Sequence, residues 1–128
     1  MAPEWEEEMK RIALTLVALS LAAPAFAGEI TGDWKRSDGR SRIRMAHCGD
    51  AVCGTITWLR DPESPARVGQ QVFFGLKPAD GGWSGSAFNP EDGKTYSGKV
   101  TVSGSSMTTS GCVLGGLFCK SVNWVRVN

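Results

Sequence analysis

Alternating apolar and polar positions recur in short segments between residues 31 and 127, separated by glycine, proline and asparagine. Strands are predicted at eight of these segments: 31–36, 41–47, 54–59, 71–76, 83–88, 95–103, 106–112 and 119–127. None of them keeps a helical period, and turn residues arrive at intervals typical of an antiparallel meander. Eight antiparallel strands with one apolar face close most simply into a barrel, because closure removes exposed edges. The pattern therefore predicts an all-β, up-and-down, eight-stranded barrel.

The start of the chain has the pattern of an export signal instead. Lys10 and Arg11 precede an apolar run over residues 12–23, and small residues suited to cleavage follow at 25–27. The run is shorter than the roughly 20 apolar residues that span a bilayer as a helix. We predict a signal peptide at residues 1–27, a periplasmic or secreted protein, and no stable membrane insertion.

The rest of the chain, residues 28–128, has the size of one domain. The acidic residues before Met9 are unusual in a signal peptide, whereas a chain that begins at Met9 has the ordinary Met-Lys-Arg start; we expect either a start codon at Met9 or an artificial extension before it. A net charge of +1 carries no nucleic-acid signature, because phosphate-binding domains have a marked excess of Lys and Arg. We expect no nucleic-acid partner and a monomer or weak dimer.

The four cysteines follow the predicted signal, and export places them where disulfides persist. Pairing Cys48 with Cys53 and Cys112 with Cys119 closes two hairpins whose apolar residues share one face. A crossed pairing that joins the two hairpins stays open, because spacing alone does not exclude it. A zinc site lacks the short Cys-x2-Cys spacing, so we predict no metal.

These disulfides and a turn at residues 89–93 set the predicted registers. The expected opposite pairs are Ile43 with Trp58, Met45 with Ile56, Trp83 with Val100, Gly85 with Gly98, Ala87 with Tyr96, and Met107 with Trp124. Each pairing leaves polar residues on the other face, as in a sheet that is buried on one side.

Large aromatic residues and glycines share the predicted inward face. Glycines there indicate either sheet curvature or a cavity, and the sequence leaves both interpretations open. An aromatic-walled cavity would suit a small apolar or amphipathic ligand, to which Tyr96 and His47 would supply polar contacts. The candidate ligand-binding residues are Met45, His47, Trp58, Trp83, Gly85, Tyr96 and Gly98. No cofactor is predicted.

Catalytic chemistry has little support in this chain. His47 is the only histidine, and no Gly-x-Ser-x-Gly elbow accompanies it. Carboxylates such as Asp33, Asp38 and Glu91 have no spacing that places two of them across a cleft. We therefore predict no catalytic residues and no enzyme.

A second interpretation is a packed core with binding on the outside. Arg40, Arg42 and Arg44 form a basic stripe on the outer face, which is either solvated or docked to anionic headgroups. Residues 61–70 form the longest connection and are a candidate rim loop. In this interpretation the protein binds an envelope protein or a lipid surface through its outer face or through residues 61–70.

Several short motifs resemble known barrels. Gly32-Asp33-Trp34 resembles the Gly-x-Trp signature of lipocalins and other calycin barrels, whose Trp closes the barrel floor beneath an Arg of the last strand. Here Trp124-Val125-Arg126 stands at the matching end, so Trp34, Trp124 and Arg126 are the expected closure residues. An Arg over an indole contributes about 0.5 to 2 kcal/mol.

The motifs that follow resemble more closely the small exported bacterial proteins of the domain of unknown function 2147 family. They are Cys48-Gly49 with Cys53-Gly54, Trp83-x-Gly85, the run at 89–96, Gly111-Cys112 and Trp124-x-Arg126. The resemblance implies a short lipocalin-like barrel in the bacterial envelope and no established activity. We expect such a barrel to bind a small hydrophobic or amphipathic ligand.

Overall fold

The structure, a computed structural model, describes residues 28–127 and confirms the predicted barrel. Eight antiparallel strands pair in chain order, and β1 closes the barrel against β8. The strands are β1 (Gly32–Arg36), β2 (Ser41–Cys48), β3 (Ala51–Leu59), β4 (Gln71–Ala79), β5 (Gly82–Asn89), β6 (Lys94–Ser103), β7 (Ser106–Val113) and β8 (Phe118–Val127). The predicted signal peptide lies outside the described residues. Among residues 28–127, no helix has the length and apolar character needed to cross a bilayer.

The two ends of the barrel differ. At one end, which we call the floor, residues 28–31 approach the far side of the barrel, where Gly28 lies against Val102 of β6. Ile30 in this segment is buried in the core. The other end, which we call the mouth, carries the connections β1–β2, β3–β4, β5–β6 and β7–β8. The described chain therefore covers the floor and leaves only loops around the mouth.

Apolar side chains from most strands fill the interior. The largest fully buried ones are Trp34, Ile43, Met45, Leu76, Val100, Met107 and Cys112. Burying a large apolar side chain contributes about 1.5 to 3 kcal/mol, so this cluster is the main source of stability. The two buried indoles keep their hydrogen bonds: Trp34 donates to the carbonyl of Ile30 and Trp124 donates to the Thr109 hydroxyl, both at 2.9 Å.

The inward glycines allow backbones to approach closely. Strand β4 has an irregular register around Gly75, whose φ of 64° favours glycine. A Cβ on Gly85 would lie 2.6 Å from the Gly75 carbonyl oxygen, and one on Gly98 would lie 3.0 Å from the Ser86 carbonyl carbon. At these two positions the curvature interpretation therefore holds, because neighbouring backbone occupies the space that a cavity would need.

The registers predicted for the β5–β6 and β7–β8 hairpins agree with the structure. The register predicted for β2–β3 is wrong. Cys48 lies opposite Ala51, so the turn has two residues, and Met45 faces Gly54 while Ile43 faces Ile56. A further shift between Arg42 and Ile43 leaves one extra residue, Thr57, in β3.

The β3 irregularity corrects the predicted inward position of Trp58. An extra residue reverses the alternation of the strand, so Trp58 lies opposite Arg42 on the outer face and is 42% exposed. The two predicted disulfides, Cys48–Cys53 and Cys112–Cys119, are present, and no cysteine is free. The crossed pairing is therefore not the one that forms.

Candidate functional site

The seven candidate ligand-binding residues do not form one pocket. Met45 is part of the packed core, Trp83 lies partly buried against it, and Trp58 lies outside the barrel. His47 shares the face of Met45 but stands at the end of β2 on the floor side, where it is exposed. Only Tyr96 lies at the mouth, while Gly85 and Gly98 pack against backbone. The structure therefore shows no central chamber lined by this set.

Arg126 joins the floor to the barrel wall. Its guanidinium carbon lies 4.2 Å from the centroid of the Trp34 ring, and one nitrogen donates to the Thr31 carbonyl at 3.0 Å. The other terminal nitrogen donates to the Glu29 carbonyl. The side-chain carboxylate of Glu29 accepts from Thr31, and this hydrogen bond lowers the pKa of Glu29 below its usual value. These contacts hold the floor segment in place.

The apolar lining continues past the core at the mouth. Val113 and Phe118 are opposite each other in the β7–β8 register and occupy the face that Met107, Thr109 and Trp124 present to the core. Val113 is nevertheless 42% exposed and Phe118 60% exposed. We call these two residues, with Tyr96, the mouth patch. It is an inward-facing apolar surface that the described chain leaves partly exposed.

A short hydrogen-bonded pair stands at the edge of the mouth patch. The Tyr96 ring packs over Gly111, where a Cβ would lie 3.4 Å from the Tyr96 Cβ, and the Tyr96 hydroxyl donates to the Asp92 carboxylate. This hydrogen bond lowers the pKa of Asp92 and raises the pKa of Tyr96. Lys120, opposite Gly111 on β8, adds a cation on the other side.

The turn between β7 and β8 carries the most exposed apolar side chains of the described chain. It contains a short 3-10 turn at Leu114–Gly116 and is closed by the Cys112–Cys119 disulfide. Leu114 is 74% exposed and Leu117 73% exposed, and we call these two residues the tip. Beside the turn lies a depression of about 270 Å³ lined by Ser84, Gly85, Ser97, Gly98, Lys99, Cys112, Gly115 and Gly116.

A second depression, of about 250 Å³, lies on the outer face around Trp58. The Arg42 guanidinium lies 5.6 Å from the Trp58 ring centroid. Arg44 donates twice to the Asp33 carboxylate, at 2.9 and 3.4 Å, and this hydrogen bond raises the pKa of Arg44. All three predicted stripe arginines thus have a partner: Arg42 the Trp58 ring, Arg44 the Asp33 carboxylate, and Arg40 the Asp38 carboxylate at 3.5 Å.

Residues 61–70 are attached to the barrel. The Ile56 amide donates to the Gln70 carbonyl and the Gly69 amide donates to the Ile56 carbonyl, at 2.9 and 2.8 Å. Ala66 packs against the core. In residues 28–127, no three His, Cys, Asp or Glu side chains come together as metal ligands.

Sequence reasoning missed the mouth patch valine and phenylalanine and both tip leucines. The signal was available in the run Val113-Leu114-Gly115-Gly116-Leu117-Phe118, which is apolar although it forms a turn between two strands. Turns of this kind are normally polar, because they face water. The predicted strands stop at residue 112 and resume at 119, so this apolar run falls in the connection between them.

The closed eight-stranded barrel, with its Arg over a floor Trp, defines the protein as a lipocalin-like barrel. The family model described as "Uncharacterized protein conserved in bacteria (DUF2147)" matches residues 32–126, and the chain belongs to this family. Among solved structures it is similar to the one titled "Protein HP1028 from the human pathogen Helicobacter pylori belongs to the lipocalin family". That similarity has a TM-score of 0.63 at 16% identity and covers 78% of this chain and 84% of that chain. No curated protein matches the chain.

Proposed function

We propose that the protein is an exported barrel of the bacterial cell envelope that binds a small hydrophobic or amphipathic molecule at its mouth. The observation that supports this most directly is the mouth patch. Val113 and Phe118 continue the inward-facing apolar surface of the barrel but remain 42% and 60% exposed. Exposed apolar surface of this kind often marks an interaction or ligand site.

The filled core favours binding at the mouth over binding in the centre. Fully buried side chains such as Met45, Leu76 and Met107 leave no room at mid-height, so the apolar part of a ligand rests on Val113 and Phe118. Tyr96 and Lys120 stand on either side of Gly111. The Tyr96 hydroxyl is already donated to Asp92, so the ammonium group of Lys120 is the donor available to a carboxylate head, which favours an amphiphile with an acidic end.

An oxidising compartment is consistent with this proposal. Both disulfides close short loops, and such bonds persist in exported proteins but are rare in the cytosol. The family description places relatives of this chain in bacteria. The cell envelope is thus the proposed location.

The test is titration of the purified protein with a fluorescent fatty acid, 11-(dansylamino)undecanoic acid. We expect saturable binding that Phe118→Ser weakens about tenfold or more, because burial of a large apolar side chain contributes about 1.5 to 3 kcal/mol. Val125→Ser is the matched control, since Val125 is a half-exposed apolar residue of β8 on the outer face. Absence of saturable binding, or equal weakening by both substitutions, would contradict the proposal.

Native mass spectrometry of protein purified from its own envelope is the complementary measurement. A stoichiometric extra mass that disappears on denaturation would identify the class of ligand. An intact mass equal to the denatured mass, together with failure of the titration, would exclude mouth binding.

A second candidate function is docking of an envelope partner through the outer face. The observation that favours it is Trp58, which the β3 irregularity exposes beside Arg42 in the 250 Å³ depression. Tryptophan and arginine are the residues most enriched at the centre of protein interfaces. In this case a cross-linked partner would be lost with Trp58→Ala and retained with Phe118→Ser, and no small molecule would be released on denaturation.

A further inference from the structure

The tip between β7 and β8 combines two features that disfavour leucine. Leu114 has a φ of 53°, in the left-handed region where a side chain is strained, while the next two residues, also left-handed, are glycines. The same Leu114 is 74% exposed, and Leu117 is 73% exposed. Neither backbone geometry nor burial in the described fold accounts for leucine at position 114. A residue whose backbone strain and exposure are not offset by any stabilising contact in the fold is expected to serve binding.

The shape of the tip indicates the kind of surface it meets. Both leucines are more than 70% exposed on a short turn, and neither lines the 270 Å³ depression beside it. A small molecule held in that depression would contact serine, lysine and glycine, and would leave the leucines in water. An exposed apolar turn of this kind is better suited to contact with an extended lipid layer than to contact with a compact ligand.

The charge around the tip is positive. From Ser97 to Val127 the chain contains no aspartate or glutamate. Of the three cations in this range, Lys99 and Lys120 lie near the tip, whereas Arg126 lies at the floor. Lys99 reaches the turn itself, since its Nζ lies 3.6 Å from the Cβ position of Gly116, and Lys120 follows Cys119 directly. On the neighbouring β5–β6 turn, Asp92 is hydrogen-bonded to Tyr96 and Glu91 is exposed. Anionic headgroups would complement the two lysines.

The disulfide holds the tip ready to bind. Cys112 and Cys119 are opposite each other in the register and bridge the base of the turn. Ordering a flexible loop opposes binding, and a covalent closure removes much of that cost before contact. Cys112 is also almost completely buried, so the base of the turn is fixed on the barrel.

We propose that Leu114 and Leu117 insert reversibly into the headgroup boundary of an anionic bilayer, with Lys99 and Lys120 contacting its lipids. Exposed apolar side chains flanked by lysines are the usual elements of interfacial membrane binding. Two leucines give peripheral contact and not a stable anchor. This membrane contact goes beyond ligand binding at the mouth and stands without it.

The test is sedimentation of the purified, disulfide-intact protein with vesicles of phosphatidylglycerol and phosphatidylcholine, compared with vesicles of phosphatidylcholine alone. We expect the Leu114→Gly/Leu117→Ser variant to lower the partition coefficient on anionic vesicles about tenfold or more. Leu114→Gly suits the left-handed backbone, so the variant should keep its fold, which its urea midpoint checks. Val68→Ser, at an apolar residue that is 63% exposed on another mouth loop, should stay within about twofold of the unmodified protein.

Charge is tested separately with Lys99→Gln/Lys120→Gln. We expect this variant to lose binding to anionic vesicles and to be unaffected on neutral ones, and added salt should weaken the unmodified protein in the same way. Binding that is equal on the two vesicle types, or equally weak in Val68→Ser and in the tip variant, would overturn the proposal. So would a dimer in solution that the tip variant converts to a monomer, because the tip would then be an interface between two copies.

Failure of the membrane proposal can be distinguished from failure of the proposed ligand binding at the mouth. The tip variant should still bind 11-(dansylamino)undecanoic acid, because Val113 and Phe118 are unchanged. Vesicle binding without fatty-acid binding would remove the proposed function and keep the membrane contact. Fatty-acid binding without vesicle binding would remove the membrane contact and keep the proposed function.

Discussion

Arg126 lies over the indole of Trp34, with 4.2 Å between its guanidinium carbon and the ring centroid. The same guanidinium donates to the carbonyls of Thr31 and Glu29 in the floor segment. One side chain of the last strand therefore fixes the first strand and the residues that precede it. The barrel is closed here by a cation near the end of the chain, which contacts a ring and two carbonyls about 95 residues earlier in the sequence.

Replacing Arg126 with alanine should lower the free energy of unfolding by about 2 to 4 kcal/mol. The loss combines a cation–π contact of about 1 to 2 kcal/mol with two charge-assisted hydrogen bonds. Urea denaturation followed by tryptophan fluorescence measures it. Arg42→Ala is the matched control, because Arg42 is exposed and lies farther from its ring, at 5.6 Å. It should cost less than about 1 kcal/mol, and equal losses would show that the floor contact adds nothing.

Thr109 should be sensitive to loss of its hydroxyl group. It is a buried polar residue that accepts the Trp124 indole N–H at 2.9 Å. Thr109→Val keeps the shape but leaves a buried donor unsatisfied, so we expect a loss of about 1 to 3 kcal/mol in urea denaturation. Thr109→Ser keeps the acceptor and removes one methyl group, which costs about 1 kcal/mol. A valine variant as stable as the serine variant would contradict this.

Gly85→Ala should strain the β4–β5 contact. The new Cβ would lie 2.6 Å from the Gly75 carbonyl oxygen, and that backbone cannot rotate away as a side chain could. We expect a loss of about 1 to 3 kcal/mol, the range seen for overpacking. The adjacent Ser84→Ala changes an exposed position and should stay within about 0.5 kcal/mol. If Gly85→Ala were neutral, the two strands would have to separate more easily than their register implies.

Turn chemistry made most of the fold predictable. In the β5–β6 turn, the Asn89 side chain accepts from the Glu91 amide at 2.9 Å and Gly93 takes a φ of 70°. Both features follow from the residue types alone, because asparagine mimics a backbone acceptor and glycine tolerates the left-handed region. The predicted β5–β6 register was therefore correct, and the predicted β7–β8 register was correct because Cys112 and Cys119 lie opposite each other. Alternation then placed Met45 and Met107 in the core.

The candidate site was less predictable, because small irregularities decide where a side chain points. The two-residue turn after Cys48 shifted the β2–β3 register by two residues, and the extra residue Thr57 then moved Trp58 from the interior to the outer face. Neither leaves a mark in the apolar–polar pattern, since Thr57 fits both faces of a strand. The mouth patch was missed for another reason: the predicted strands end at 112 and begin at 119, whereas β7 and β8 extend through Val113 and Phe118 and place both side chains on the inward face beyond the core.

The Tyr96–Asp92 hydrogen bond should make stability depend on pH at both extremes. It lowers the pKa of Asp92, so this contribution is present above the unfolded value of about 4 and is lost as pH falls through the lower pKa of the folded chain. It raises the pKa of Tyr96, so the same contact is present below the unfolded value of about 10 and is lost as pH rises through the higher folded pKa. Between about pH 4 and about pH 10, the contribution of this hydrogen bond to the free energy of unfolding is constant.

Tyr96→Phe tests this pair, because it removes the hydroxyl and keeps the ring over Gly111. We expect the pKa of Asp92, followed by NMR of its carboxyl carbon, to rise toward its usual value, since the phenol is the largest cause of its lowering. The rise should be incomplete, because the Lys94 amide still donates to Asp92 at 2.9 Å. Ser97→Ala, at the next position on the outer face, should leave the titration of Asp92 unchanged. An unchanged pKa of Asp92 in Tyr96→Phe would mean that the hydroxyl prefers water, and the mouth would then present it freely to a ligand.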